Sequence, residues 1–397
     1  MKILYLSYDG MLEPLGQSQV LAYLKLLSSN SGFYLISFEK TEDWVGVENR
    51  ERIVRDLSDC GIVWYPLRYH KWPSALATSY DILCGACLGL WLVLRHRIFI
   101  VHARSYVASV MAIIIKRLTG VKYLFDMRGF WADEKLDGGW ASQGFMYRVA
   151  KGFERRFLLG ADHVVSLTHA AVPIIRAFPY LKDRAPPITV IPTCADLVRF
   201  KPMPRNPRRG LVIGYLGTAG NWYLFEETAS CFAALIEMRP DTKFLIVNRG
   251  EHAYINERLT VAGVPRQAVE LTAATPAEIP SLIARMDASI FFIKPVFSKQ
   301  GSAATKLAEL LGCGVPCLSN AGVGDMAEVL ENENVGVALR SFDRAAMVTG
   351  LNQLLTLVAD PTTKGRCVAA AQMHFSLDEG VKRYREIYEQ LGNKKAK

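Results

Sequence analysis

Two doubly wound α/β domains in tandem are the architecture this sequence predicts, and three observations predict it. Short apolar runs rich in β-branched and aromatic residues alternate with longer segments of helical period along the whole chain. The alternation is interrupted once, by the proline- and arginine-rich stretch FKPMPRNPRRG (200–210), which reads as a linker, and then restarts. The length, 397 residues, exceeds what a single core usually serves.

In the first half KILYLS precedes GQSQVLAYLKLLSS, and FYLISF precedes a charged helix through Arg50. GIVWYP precedes the apolar run Ile82–Leu94, and RIFIVHA precedes YVASVMAIIIKRL. VKYLFDM leads to FMYRVAKGFERRFLLG, DHVVSLT to AAVPIIRAF, and ITVIP closes the half near Pro192. Repeated β-then-α units mean parallel strands covered by helices on both faces. The second half repeats the plan: LVIGYLG with a helix from Tyr223, KFLIVN with one from His252, VELTA with one from Pro276. Then come ASIFFI with a helix from Ala304, VPCLSN with one from Asp325, and VGVAL with helices to the end. Two helix starts, Thr275–Glu278 and Ser376–Glu379, have capping-box spacing. The expected domains are 1–198 and 199–377, followed by a helix at about 378–392. Ligands of such sheets bind at the carboxyl ends of the strands, and two facing domains would add a cleft between them.

The composition narrows the function. With 47 Lys+Arg against 38 Asp+Glu the net charge is +9, which suits anionic partners: phosphates, nucleic acid or anionic lipid. The basic residues are dispersed, without the clustered face and interleaved aromatics of a nucleic-acid binder. Eight cysteines are too few for a disulfide scaffold, and the lone CxxC (Cys84, Cys87) lies in an apolar run with no second cluster to complete a zinc site. Buried free thiols are expected. The N-terminus MKILYLSYDG lacks the parts of a signal peptide, so a reducing cytoplasm is the expected compartment. The run Ile82–Leu94 is too short to span a bilayer and ends at Arg95, leaving a peripheral membrane role open.

Four loops that follow strands hold the candidate residues. SYDGMLEPLGQSQ places Gly16 ahead of a helix, where glycine permits close backbone approach and the helix start favours an anion; a plain turn glycine is the alternative. FDMRGFWADEKLDGGW gathers charges beside Phe130 and Trp131; Asp126 and Arg128 are its candidates for sugar or phosphate contact, against a solvated loop with local ion pairs. In GYLGTAGNWY, Gly214, Gly217 and Gly220 would leave backbone N–H groups free to cradle a phosphate. Its GxxGxxG spacing is not a dinucleotide fingerprint, and no P-loop occurs. The fourth, FFIKPVFSKQGSAATKLAELL, leads Lys299 and Ser302 into a helix bearing Thr305, Lys306 and Glu309: an anion site with a carboxylate able to accept two hydrogen bonds from a ribose diol. The alternative for Glu309 is a surface glutamate paired with Lys306.

With these motifs in view, nearly the whole chain resembles the family 4 (group 1) glycosyltransferases. VIPTCADLVRFKP looks like the family's segment between domains, usually VIPNGVDxxxFxP. TKLAELLGCGVPCLSNAGVGDMAEVL looks like its donor-site block, and FDMRGFWADEKLDGG resembles a loop of a subgroup that builds bacterial surface polysaccharides. The resemblance implies the GT-B fold, with the last helix crossing back onto the first domain. It implies transfer of a sugar from a nucleotide diphosphate donor (UDP- or GDP-sugar), with retention and without a metal or other cofactor, to a saccharide or lipid-linked acceptor. Donor binding would fall mostly to the second domain and acceptor binding to the first.

Carried onto this chain, Glu309 matches the glutamate that binds the donor ribose. The family's other glutamate, eight positions earlier, falls on Gly301 and is absent. The basic residues that usually follow the third loop are missing too, so Lys299 and Lys306 stand in as diphosphate partners, with Gly16, Gly217, Gly220, Ser302 and Thr305 completing the donor set. Asp126 stands where many members have a histidine, and with Arg128 is the candidate catalytic pair, to orient a sugar hydroxyl or stabilise positive charge developing at the anomeric carbon; His102 and His169 are nearby alternatives, with a structural role the stronger reading for each. No protein nucleophile is required, since a donor phosphate oxygen can take the acceptor's proton. Two rivals share the plan: a nucleotide-sugar epimerase, and a nucleotide-sugar-binding subunit without catalysis.

Overall fold

The computed structural model describes residues 1–142, 144–204 and 210–393. Of the linker expected at 200–210, residues 205–209 lie outside the described residues. The chain divides into two compact units: Met1–Pro192 together with the C-terminal helix Leu377–Asn393, and Thr193–Ser376.

The first unit is built on seven parallel strands. They are β1 (Lys2–Ser7), β2 (Gly32–Glu39), β3 (Val63–Arg68), β4 (Ile100–Arg104), β5 (Lys122–Asp126), β6 (His163–Ser166) and β7 (Ile188–Val190), in the order β3-β2-β1-β4-β5-β6-β7. The second has six, β8 (Val212–Leu216), β9 (Lys243–Val247), β10 (Val269–Thr272), β11 (Ala288–Ile290), β12 (Cys317–Asn320) and β13 (Gly336–Leu339), ordered β10-β9-β8-β11-β12-β13. Every apolar run expected as a strand is one, and every pairing is parallel. The physical reason is burial on both faces: β1, β4 and β12 are buried at nearly every position, so their sequences need no polar alternation. In each sheet the strand order reverses once, at β1/β4 and at β8/β11, and those switch points leave a crevice at the carboxyl ends of the strands.

Several local readings need correction. The loop after β5 folds into a helix, Trp131–Asp137, with the acidic Asp133 and Glu134 in its first turn, where the helix dipole favours them. The charged helix after β2 runs on to Asp59. The apolar run Ile82–Leu94 belongs to a longer helix, Ser74–His96, which is 23 residues long and by length and composition could cross a membrane. One side of it is buried in the first unit's own core, through Ala77, Gly85, Ala86, Gly89, Leu92 and Val93. All eight cysteines are free, but Cys87 is exposed and Cys60 and Cys84 are half-buried, so buried thiols hold for only five. The Thr275–Glu278 capping box forms, with the Glu278 carboxylate accepting from the Thr275 amide at 2.8 Å.

Candidate functional site

In the second unit the loop after β8 and the helix Thr305–Gly312 form one cluster. Gly217 adopts φ +97°, a left-handed conformation that a side chain disfavours, and a Cβ there would lie 3.4 Å from Lys306 Nζ. Lys306 is buried, and among the described residues its side-chain nitrogen has no hydrogen-bond acceptor. It sits among aromatic faces, 3.7 Å from the Tyr223 ring centroid, 4.9 Å from Tyr215 and 5.2 Å from Phe291. Burial pushes its pKa down to about 7, against the pull of Glu309 and Glu251. Glu309, one turn along the helix, is half-buried, and burial pushes it up to about 7, opposed by the charges of Arg199 and Lys306. No ion pair joins Glu309 to Lys306 among the described residues, so the surface-pair alternative does not describe Glu309. Lys299 is also buried, with Nζ 3.9 Å above the Trp222 ring. Ser302 and Thr305 are half-buried at the approach to the same helix.

The glycine loop differs from the expected open cradle. Gly217 N–H donates to Val247 O at 2.9 Å, and Gly220 N–H donates to Glu251 at 2.9 Å. The second oxygen of Glu251 accepts from Ala219 N–H at 2.8 Å, while Asn248 Nδ2 donates to both Glu251 and Gly217 O. Burial would raise the Glu251 pKa, but these donations and the Lys306 charge hold it below the usual carboxylate range. The amides do bind an anion, and in this structure that anion is a side chain of the protein. Gly214 serves packing: a Cβ there would strike Met286.

In the first unit Asp126 ends β5 beside Arg104 of β4. The expectation that it meets a sugar hydroxyl is not met, because Asp126 is only 1% exposed. Its Oδ2 accepts from Tyr384 OH at 3.1 Å and lies 3.6 Å from His102 Nε2; its Oδ1 lies 3.8 Å from Arg128 Nη1. Burial alone would raise its pKa, but Arg128, His102 and Arg104 hold it low. His102 in turn meets Tyr388 OH at 2.7 Å, and burial lowers its pKa. Asp126 therefore acts as the inward anion that fixes Arg128 and the Leu377–Asn393 helix. Arg128 itself has φ +32°, followed by Gly129 at +122°, a strained turn that aims its guanidinium to within 3.4 Å of Gln19 Oε1. Gly16 is a close-approach glycine: a Cβ there would lie 1.9 Å from Gly10 O. Beside it, Met11 and Leu12 N–H donate to the buried carboxylate of Glu39 at 2.8 and 3.1 Å.

Thus Gly217, Gly220, Lys306 and Glu309 come together in the second unit, with Lys299, Ser302 and Thr305 on the adjoining segment; Gly16, Asp126 and Arg128 belong to the first. Sequence reading missed Glu251, Asn248, Tyr223, Tyr384 and Tyr388. A glutamate four residues past β9 was the one available signal. Among the described residues, no group of three or more His, Cys, Asp or Glu side chains is placed to hold a metal ion.

A sheet with a β1/β4 switch point followed by a second with a β8/β11 switch point, each with glycine loops at its strand ends, is the build of a GT-B glycosyltransferase. Solved structures of that build match over nearly full length. The glycosyltransferase of Rickettsia africae is 15% identical, with 98% of each chain covered and a TM-score of 0.71. Sucrose-phosphate synthase of Thermosynechococcus elongatus is 13% identical, covering 99% of this chain and 100% of that one, with a TM-score of 0.76. Anabaena HepE, solved with UDP and glucose, is 17% identical, covering 98% and 99%, with a TM-score of 0.67. No curated protein sequence matches this chain.

Residues 43–194 match the glycosyl transferase 4-like domain and residues 210–357 match glycosyl transferases group 1, together about three quarters of the chain. The chain belongs to the family 4 (group 1) glycosyltransferases and is a glycosyltransferase that uses a nucleotide sugar.

Proposed function

We propose that this glycosyltransferase moves a sugar, with retention and without a resident metal, from a UDP- or GDP-sugar to a saccharide or lipid-linked acceptor. Its product would enter cell-surface polysaccharide or glycolipid synthesis at the inner face of the plasma membrane. The observation that carries the donor reading is the Lys306 ammonium, buried without an acceptor against the Gly217 turn, with Glu309 one turn further. A buried cation lacking a counterion gains most from an incoming diphosphate. Glu309 then accepts from the ribose hydroxyls, and the diphosphate takes over the Ala219 and Gly220 amides as Glu251 swings aside. HepE structures holding UDP, or UDP-glucose, support a uridine nucleotide as the first donor to try. Arg128, held by Asp126 through the strained turn, is the first unit's candidate to meet developing negative charge.

Titrating UDP and GDP against wild type and Glu309→Ala tests the assignment. The variant should bind about 1.5–3 kcal/mol more weakly, the scale of hydrogen bonds to a charged group. Equal affinities would refute it. A putative UDP-N-acetylglucosamine 2-epimerase from Listeria monocytogenes shares the fold at a TM-score of 0.56. Epimerised donor, formed without any acceptor, would favour that rival chemistry. Turnover with a defined acceptor removes the reading of an inactive subunit, which the missing carboxylate at Gly301 motivates.

A further inference from the structure

We infer that the outward face of the Ser74–His96 helix docks the protein onto a bilayer containing anionic lipid. A helix that flanks a doubly wound sheet ordinarily buries one stripe and shows polar residues to water. Here the inward stripe is small and apolar: Gly85 and Gly89 lie so close to Met111 and Ile115 that a Cβ on either would clash. The outward stripe is apolar as well. Leu76, Tyr80, Leu83, Cys87, Trp91 and Leu94 are all exposed, Leu83 at 60%, Trp91 at 53% and Leu94 at 65%. Their steps of four, three, four, four and three residues follow the helical period, so they share one face about 27 Å long. Mixed aliphatic and aromatic side chains on such a face suit the boundary between headgroups and acyl chains.

Charge identifies the lipid. The helix's one acid, Asp81, is buried, bonded to Tyr8 OH at 2.9 Å and to His70 Nδ1 at 2.6 Å, so no carboxylate lies on the outward face. Arg68 and Lys71 are exposed just before the helix, and Arg95 and Arg97 at its end. The neighbouring helix Ser105–Thr119 runs in step with it, Gly85 beside Met111 and Gly89 beside Ile115, which brings exposed Arg117 and Leu118 to the same end. An apolar stripe with cations at both ends and no acid complements a negatively charged leaflet. The helix does not need to insert: its inward side is committed to the unit's core, so the helix lies on the surface rather than across it. This deepens the proposed reading of a membrane-bound acceptor, on which its biological purpose rests.

Co-sedimentation of the full chain with phosphatidylcholine vesicles, with and without phosphatidylglycerol, tests it. Binding to the anionic vesicles, weakened by salt, is expected. Leu83→Asp combined with Trp91→Asp should lower partitioning at least about tenfold. Arg95→Gln with Arg97→Gln should lower it less and flatten the salt dependence. Brominated lipid should quench wild-type fluorescence more than that of Trp91→Phe. Thermal melting and UDP titration on the same variants should match wild type, which separates docking from folding and from catalysis. A wild type that binds nucleotide but no vesicles overturns the docking surface and leaves the proposed function standing; binding to vesicles without nucleotide does the reverse. Equal binding to neutral and anionic vesicles, or a wild-type dimer that Leu83→Asp splits into monomers, would also overturn the proposal.

Discussion

Each unit closes its first strand with a loop whose two consecutive amides are held by one glutamate, and the two glutamates are not equivalent. In the first unit Glu39, the last residue of β2, takes Met11 and Leu12 N–H and the Ser37 hydroxyl at 2.6 Å. It is 3% exposed, and burial raises its pKa despite those bonds. In the second unit Glu251, four residues past β9, takes Ala219 and Gly220 N–H from a half-buried position, and its pKa is lowered. The same bidentate contact is thus buried in the first unit and half-exposed in the second, where, on the proposed donor reading, a ligand anion would replace it. What separates them is the setting of the glutamate itself: Glu39 is sealed in, whereas Glu251 and Gly220 are half-buried beside an Ala219 that is fully buried.

The largest effect that would sharpen this contrast is on stability. Glu39→Ala leaves two amides and a hydroxyl buried without their acceptor and should cost about 3 kcal/mol or more. Thermal melting should show a clear loss, while Glu251→Ala, which bares the buried Ala219 amide and the half-buried Gly220 amide, should lose less; equal losses would break the comparison. Lys306→Met is next. It should weaken nucleotide binding by about 2 kcal/mol, yet hold or raise the melting temperature, because a buried cation without an acceptor is removed. A fall in both would mean that the aromatic contacts of Lys306 are structural.

A third prediction concerns pH. Glu309 is raised from 4.5 to about 7, so between those values the folded protein holds a proton that the unfolded chain has lost, and stability falls as pH rises. Lys306 is lowered from 10.5 to about 7, so above pH 7 the folded protein lacks a proton that the unfolded chain keeps, and stability rises with pH. Denaturation curves across pH should therefore show a minimum near 7 from this pair. Glu309→Gln should remove its acid limb and Lys306→Met its alkaline limb; profiles unchanged by either substitution would contradict the burial argument.

The smallest expected effect is that of Glu251→Gln. Weakening the resident anion should raise UDP or GDP affinity by about 1 kcal/mol, the net scale of one hydrogen bond. Calorimetric titration measures it. A loss of affinity would show that Glu251 shapes the loop rather than occupying the anion's place.

Much of the fold was legible because the inner parallel strands are buried on both faces and are therefore mainly apolar, and even the edge strands β3 and β10, which are only half-buried or exposed, keep enough apolar residues to be read. The family motif pointed to Glu309, and Lys306 was picked out as a substitute cation from its place at the start of the same helix, because helix position and residue type are local properties. Asp126 was misread for the opposite reason. Its neighbours in sequence are charged and aromatic, as at a ligand loop. Its neighbours in space are Tyr384 and His102, and Tyr384 comes from 258 positions away. The glycine loop was read as open on similar grounds, since nothing within GYLGTAGNWY hints that Glu251 will fill it.

The sequence by itself determined the number, order and direction of the strands, the helices between them and the family to which they belong. Those follow from local apolar periodicity and from residue types at fixed spacing. The tertiary structure decided which polar groups stay available: that Glu251 rather than solvent meets the loop amides, that Lys306 is left without a counterion, and that Asp126 faces inward. Burial and pairing of charges depend on partners far along the chain, and spacing along the chain carries no record of them.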